Sequence, residues 1–207
     1  MFRVVTISRE CGSGGGIIAR NLAKKLKWNL LDRALIAEVA RSAQVDAAIV
    51  GRYDEHVDSF WHRFNRGGLW SSAIVAGIAP EDAQIFDAET VAWFAQRAIL
   101  KAAETGGCVI VGRGAECVLQ DREGVLHVFI YGPWAERLER VRARAEPSQD
   151  AEDLIQGTDH ERASYVRTFY GCDWKDPHLY QMMLSSELGT ERIVSMIVEA
   201  VEGGSRT

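Results

Sequence analysis

Little in this sequence points away from an ordinary globular fold, and each shortage excludes something. Only four cysteines occur in 207 residues, Cys11, Cys108, Cys117 and Cys172, with no C-x-x-C pair and no Cys/His cluster. A zinc site or a disulfide framework is therefore not expected, and the thiols read as reduced. Basic residues are not in excess: 24 Lys and Arg stand against 29 Asp and Glu, for a net charge of -5. A nucleic-acid partner held by a broad basic surface is excluded on that ground, although a local basic pocket is still allowed. Long apolar runs are missing too, since the most apolar window outside the strands, residues 69–78, falls short of the roughly 20 residues that span a bilayer. The first residues lack the apolar stretch and small-residue cleavage site of a secretory signal, so a cytoplasmic location is the expectation and no membrane segment is foreseen. There is no internal repeat, and only residues 203–206 look like a loose tail.

What is present alternates. Apolar runs at 2–7, 28–31, 108–111, 126–131 and 180–184 read as strands. Between them, helical periodicity covers 17–27, 34–42, 89–104, 135–145, 159–170 and 191–201. Buried-type strands alternating with amphipathic helices predict an α/β three-layer sandwich around a mostly parallel five-stranded sheet. Residues 1–207 form one domain in this reading, with a helical insertion at 44–88. Whether Trp61, Phe64 and Trp70 there form a core or the surface of a homodimer stays open, core being preferred. Ligands of such sheets sit beyond the carboxyl ends of the strands. The loops after the first four strands, with Arg9 and Glu10, Asp32 and Arg33, and Arg113, are where a site is expected.

The first of these loops is rich in glycine: four of the five residues 12–16, Gly12, Gly14, Gly15 and Gly16, flank Ser13. Strand, glycine loop and helix in succession let backbone N–H groups turn inward, and the helix N-terminus adds its own donors and positive dipole end. Phosphate is the natural occupant. Gly14 to Ala19 also fits the dinucleotide form G-x-G-x-x-A, with Asp32 placed as a ribose-binding acid. That form uses a tight turn, however, whereas the stretch from Ser8 to the helix is long, as in a P-loop.

The segment Ser8-Arg9-Glu10-Cys11-Gly12-Ser13-Gly14-Gly15-Gly16, with Leu31-Asp32-Arg33, Gly112-Arg113-Gly114 and Asp173-Trp174-Lys175-Asp176-Pro177, resembles the cytidylate-kinase-like family. The resemblance runs over nearly the whole chain and is weakest at 44–88. It implies a P-loop nucleoside-monophosphate-kinase fold that binds a small-molecule nucleotide. ATP would be the phosphoryl donor, the insertion would bind the acceptor, and a lid at 158–170 would carry Arg162 and Arg167 as catalytic arginines. Arg113 then looks like the arginine that meets the acceptor's phosphate, with Asp32 and Arg33 beside it. Mg²⁺ is implied as well, although no hydroxyl or carboxylate near the loop stands out as its ligand.

The sequence departs from that pattern at its most chemical positions. A working loop of true cytidylate kinases reads G-x-x-x-x-G-K-G-[ST]. Here Arg9 stands at the first glycine, Gly15 at the lysine and Ile17 at the hydroxyl residue, while Gly114 replaces an Asp. Phosphoryl transfer rests on positioning and charge neutralisation, so other groups must supply the missing cation. Arg9 is the obvious substitute, because a guanidinium grips two phosphate oxygens at once. Three readings are open: a phosphotransferase acting on a nucleoside monophosphate or related small acceptor, a nucleotide-binding module without turnover, and an NAD-dependent oxidoreductase.

Overall fold

The five apolar runs pair as strands of one sheet. In a computed structural model, which describes residues 1–32, 88–145 and 150–203, they are β1 (Val4–Arg9), β2 (Asn29–Leu31), β3 (Cys108–Val111), β4 (Val125–Tyr131) and β5 (Met182–Ser185). The order is β2-β3-β1-β4-β5, and every pairing is parallel. Helices α1 (Gly15–Leu26), α2 (Ala88–Thr105), α3 (Ala115–Val118), α4 (Trp134–Arg142), α5 (Ala151–Tyr170) and α6 (Thr190–Gly203) lie between or after them. Contacts divide the chain into one unit of Met1–Arg33 with Ile99–Thr207 and another of Ala34–Ala98. All five strands belong to the first unit. The insertion expected at 44–88 lies outside the described residues save for Ala88. So do the helix expected at 34–42, Arg33, and the aromatics Trp61, Phe64 and Trp70.

Alternation along the strands builds two cores. Val128 and Ile130 join Val5, Ile7, Val109 and Val111 on the face covered by Ile18 and Leu22 of α1 and by Ile193 and Ile197 of α6. Phe129 points the other way, into a cluster with Val166 of α5, Trp174, Leu179 and Tyr180. Each fully buried aliphatic side chain contributes about 1.5–3 kcal/mol, so these faces fix the strand register. Within the sheet, Thr6 Oγ1 lies 2.7 Å from Nδ1 of His127, its partner across β1 and β4.

Three boundaries differ from expectation, each for a local reason. β1 runs on to Arg9 because Ser8 and Arg9 keep pairing with Phe129 and Ile130, so Arg9 ends a strand rather than sitting within the loop. α5 begins at Ala151, well before residue 158, because Asp150 caps it by accepting from the N–H groups of Glu152 (2.7 Å) and Asp153 (3.4 Å). β5 begins at Met182 because Pro177 opens a 3-10 turn over Pro177–Leu179, capped by Asp176. α1 closes with Lys27 in the left-handed conformation and Trp28 N–H on the carbonyl of Ala23 at 2.9 Å.

Candidate functional site

β1 lies at the centre of the sheet, and its carboxyl end opens directly into the loop from Glu10 to Gly14. Four successive carbonyls at this turn take side-chain donors: Arg9 O from Arg162 (2.8 Å), Glu10 O from the Ser13 hydroxyl (2.8 Å), Cys11 O from Arg137 Nε (2.7 Å) and Gly12 O from Arg140 (3.1 Å). Most of the loop's own amides are committed as well: Glu10 N–H donates to Ile130 O (3.0 Å), Cys11 N–H to Asp159 Oδ1 (2.7 Å) and Ser13 N–H to Glu10 O (3.3 Å). The chain then enters α1 at Gly14 with no side-chain cap. The first N–H groups of a helix have no carbonyl of their own turn to bind, which leaves those of Gly15 and Gly16 to whatever lies in the loop. Gly12 is required here: its φ is +79°, and a β-carbon would stand 2.6 Å from the backbone oxygen of Arg137.

The Arg9 side chain fills the space beside Gly15. A β-carbon on Gly15 would come within 2.6 Å of Arg9 Cβ and 2.9 Å of Cγ, so the arginine's stem fills the volume a lysine at 15 would need. Its head reaches the loop after β3, where Nη1 lies against Gly112. Among the described residues the Arg9 guanidinium makes no hydrogen bond and no ion pair. Burial lowers its pKa to about 10, and Arg162 adds to the effect, while Glu116 and Asp32 oppose it and Arg113 lowers it slightly. The guanidinium is therefore a desolvated cation with two other arginines and two carboxylates in electrostatic reach.

Behind the loop, a buried ion network holds its outer half in place. Arg137, 6% exposed, bridges Glu10 Oε2 (2.9 Å) and Asp159, while Asp159 Oδ1 accepts the N–H of Cys11 at 2.7 Å. Lys175 of the Asp173–Pro177 segment binds Glu10 Oε1 at 2.7 Å, and Glu10 also accepts the N–H of Gly132. The loop is thus tied to α4, to α5 and to the turn after β4.

The loop after β3 is the second half of the site. Gly112, Arg113 and Gly114 have φ values of +67°, +63° and +69°. A left-handed arginine costs roughly 1 kcal/mol, so its conformation is imposed by what surrounds it. Tyr170 of α5 packs against Gly114 where a side chain would stand, and the Arg113 guanidinium lies 5.5 Å from the centre of the Tyr165 ring. Glu116, in the first turn of α3, is 1% exposed. Burial raises its pKa, against the lowering influence of its own backbone N–H, of neighbouring Ser8, of Arg9 and of Tyr180.

A family model described as the cytidylate kinase-like family matches residues 4–188. The chain belongs to the cytidylate kinase-like family. Membership of this family gives general P-loop kinase character, and the parallel sheet with flanking helices is the architecture of P-loop monophosphate kinases. Among solved structures, an uncharacterized protein from Eubacterium ventriosum is 22% identical at a TM-score of 0.69, covering 96% of this chain and 98% of that one. A shikimate kinase from Bacteroides thetaiotaomicron is 14% identical at 0.52, covering 96% and 98%. One from Acinetobacter baumannii, in complex with shikimate, is 12% identical at 0.52, covering 100% and 97%. These likenesses concern the fold. No curated protein matches the sequence.

Within this family member, the structure brings Arg9, Gly12, Ser13, Gly14, Gly15, Gly16, Arg113 and Arg162 around the ends of β1 and β3, with Asp32 in electrostatic reach of Arg9. It separates the two lid arginines. Arg162 faces the loop, whereas Arg167, five residues and about 140° farther around the helix, is exposed. The Ser13 hydroxyl turns onto Glu10 O, away from ligand duty. From sequence alone Arg137, Arg140 and Asp159 have no assigned part, and Glu116 enters only as a candidate ion-pair partner of Arg113. β-carbons at Gly14 and Gly16 would meet nothing within 4 Å. A protein-built Mg²⁺ site fits the residues poorly. Ile17 stands at the hydroxyl position, and among the described residues no three His, Cys, Asp or Glu side chains form a metal-holding group. No described helix is long and apolar enough to cross a membrane.

Proposed function

We propose that this chain is a phosphotransferase that holds ATP in the loop from Glu10 to Gly16 and moves its γ-phosphoryl group to a nucleoside monophosphate, CMP-like, or a related small acceptor. The observation that carries the reading is Arg9: a desolvated guanidinium on the lysine's side of the loop, without a hydrogen bond among the described residues and crowded by Arg113 and Arg162. Bound phosphate would supply Arg9 with a bonded anion. The Gly15 and Gly16 amides and Arg9 take the donor phosphates, and Arg113, across Gly112 from Arg9, takes the acceptor's phosphate. Arg162 already lies beside Arg9 and is placed to offset charge that develops between donor and acceptor. Any Mg²⁺ arrives on the nucleotide's own oxygens in this proposal, and no step is assigned to a protein-held ion. The partner is a free nucleotide rather than a nucleic acid, and the setting is cytoplasmic.

A specific observation keeps a second reading alive: Gly15 and Ile17 remove both the lysine and the hydroxyl, and a loop so altered can bind nucleotide without turning it over. Coupled ADP release with ATP and a panel of monophosphates and hydroxyl acceptors separates the two. Arg9→Ala should weaken ATP binding by about 1.5–3 kcal/mol, the usual worth of a charge-assisted contact. Unchanged ATP affinity in that variant removes Arg9 from the donor site, and binding without ADP release favours the second reading.

A further inference from the structure

Glu116 has no part in the phosphate contacts proposed above, yet it is the most completely buried acid near them. Its carboxyl is poorly partnered. Oε2 has no hydrogen-bond partner among the described residues. Oε1 accepts from the Tyr180 hydroxyl only at 3.5 Å, a long contact that competes with the same hydroxyl's 2.8 Å bond to Trp174 O. Ser8 adjoins it from β1, Cys117 from its own helix and Tyr170 from α5, and none of these carries positive charge. The cation in reach is Arg9, which Arg113, Arg162 and Asp32 also surround. Buried carboxylates persist when donors hold both oxygens, whereas Oε2 here has no hydrogen-bond partner among the described residues, and the backbone N–H, Ser8, Arg9 and Tyr180 do not outweigh the burial. A neutral acid suits the pocket, and an ionised one leans on Arg9.

We propose that Glu116 is a positioning residue that acts through Arg9 as a proton-controlled counter-charge: protonated, it leaves Arg9 to a phosphate anion, and ionised, it competes for Arg9 and weakens that anion's binding. The idea rests on the phosphate-binding reading of the loop and deepens it, because it makes anion affinity depend on one buried proton. Phosphate binding at Arg9 and proton uptake at Glu116 are then linked, each favouring the other.

The raised pKa gives the sign. A carboxyl whose folded value lies above its unfolded one contributes stability at low pH and loses it as pH rises through the folded value. Glu116→Gln cannot ionise, so without ligand its melting temperature should gain on the wild type as pH climbs above about 4.3, the ordinary Glu value. ATP affinity is then measured for both proteins across the same range. The nucleotide's own titration cancels in the ratio of the two affinities. That ratio should lie near one at the acid end and move in favour of Glu116→Gln, by up to about tenfold per pH unit, the limit for one linked proton. Wild-type calorimetry in buffers of different ionisation enthalpy should show proton uptake on ATP binding over the interval in which the ratio changes, a readout that does not need the variant to fold. Parallel affinity profiles, or no proton uptake by the wild type, overturn the role of Glu116 and leave the phosphotransferase reading standing. Failure of both proteins to bind ATP at every pH overturns the phosphotransferase reading itself.

Discussion

Moving the cation back to its usual position should succeed only if Arg9 is removed at the same time. Gly15 lacks the positive φ of Gly12 and Gly14, so its backbone accepts any side chain, and a helical glycine replaced by lysine gains up to about 1 kcal/mol. Space is the obstacle. A β-carbon at 15 stands 2.6 Å from Arg9 Cβ and 2.9 Å from Cγ, about 1 Å inside the optimum of roughly 3.5–4.0 Å between carbons. Those atoms are the root of the arginine, anchored by the pairing of β1 with β4, and they cannot swing aside as its head can. Overpacking of this kind costs about 1–3 kcal/mol, so Gly15→Lys alone should be destabilised or at best neutral. Arg9→Gly opens the volume. In the double variant the lysine should fit, and unfolding in urea of the four proteins of the cycle should give a favourable coupling of about 1 kcal/mol or more. ATP binding, lost in Arg9→Gly, should return when Gly15→Lys is added, because the new ammonium enters along the path the guanidinium took. Strict additivity of the two stability changes, or a Gly15→Lys single variant more stable than the wild type, would refute the idea that Arg9 occupies the lysine's place.

Two further outcomes are expected from the same geometry. Because Arg113 is held at φ +63°, Arg113→Gly should unfold at a higher temperature than Arg113→Ala, while both lose monophosphate affinity by about 1.5–3 kcal/mol; calorimetry with CMP and thermal melts check both halves. Arg137→Ala strands the carboxylates of Glu10 and Asp159 in an interior where each is nearly covered, and urea unfolding should report a loss of about 3–5 kcal/mol.

The sequence by itself determined the layers, the parallel sheet and the position of the phosphate loop, because these depend on local pattern. Apolar strands such as 108–111 can only be buried on both faces, and glycines between a strand and a helix can only make an open turn. It also located the substitution of Arg9 and Gly15, since a resemblance is specific at the level of single residues. What only the tertiary structure decided is where side chains far apart in sequence meet. That Arg9 and Gly15 contend for one volume follows from how α1 leaves β1, and that Arg162 turns to the loop while Arg167 faces solvent, and that Arg137 joins Glu10 to Asp159, follow from where α4 and α5 pack against the loop. The burial of Glu116 was invisible for the same reason. An acid after a glycine pair reads as an exposed residue until the chain places Tyr180, Ser8 and Tyr170 around it and buries it, which raises its pKa.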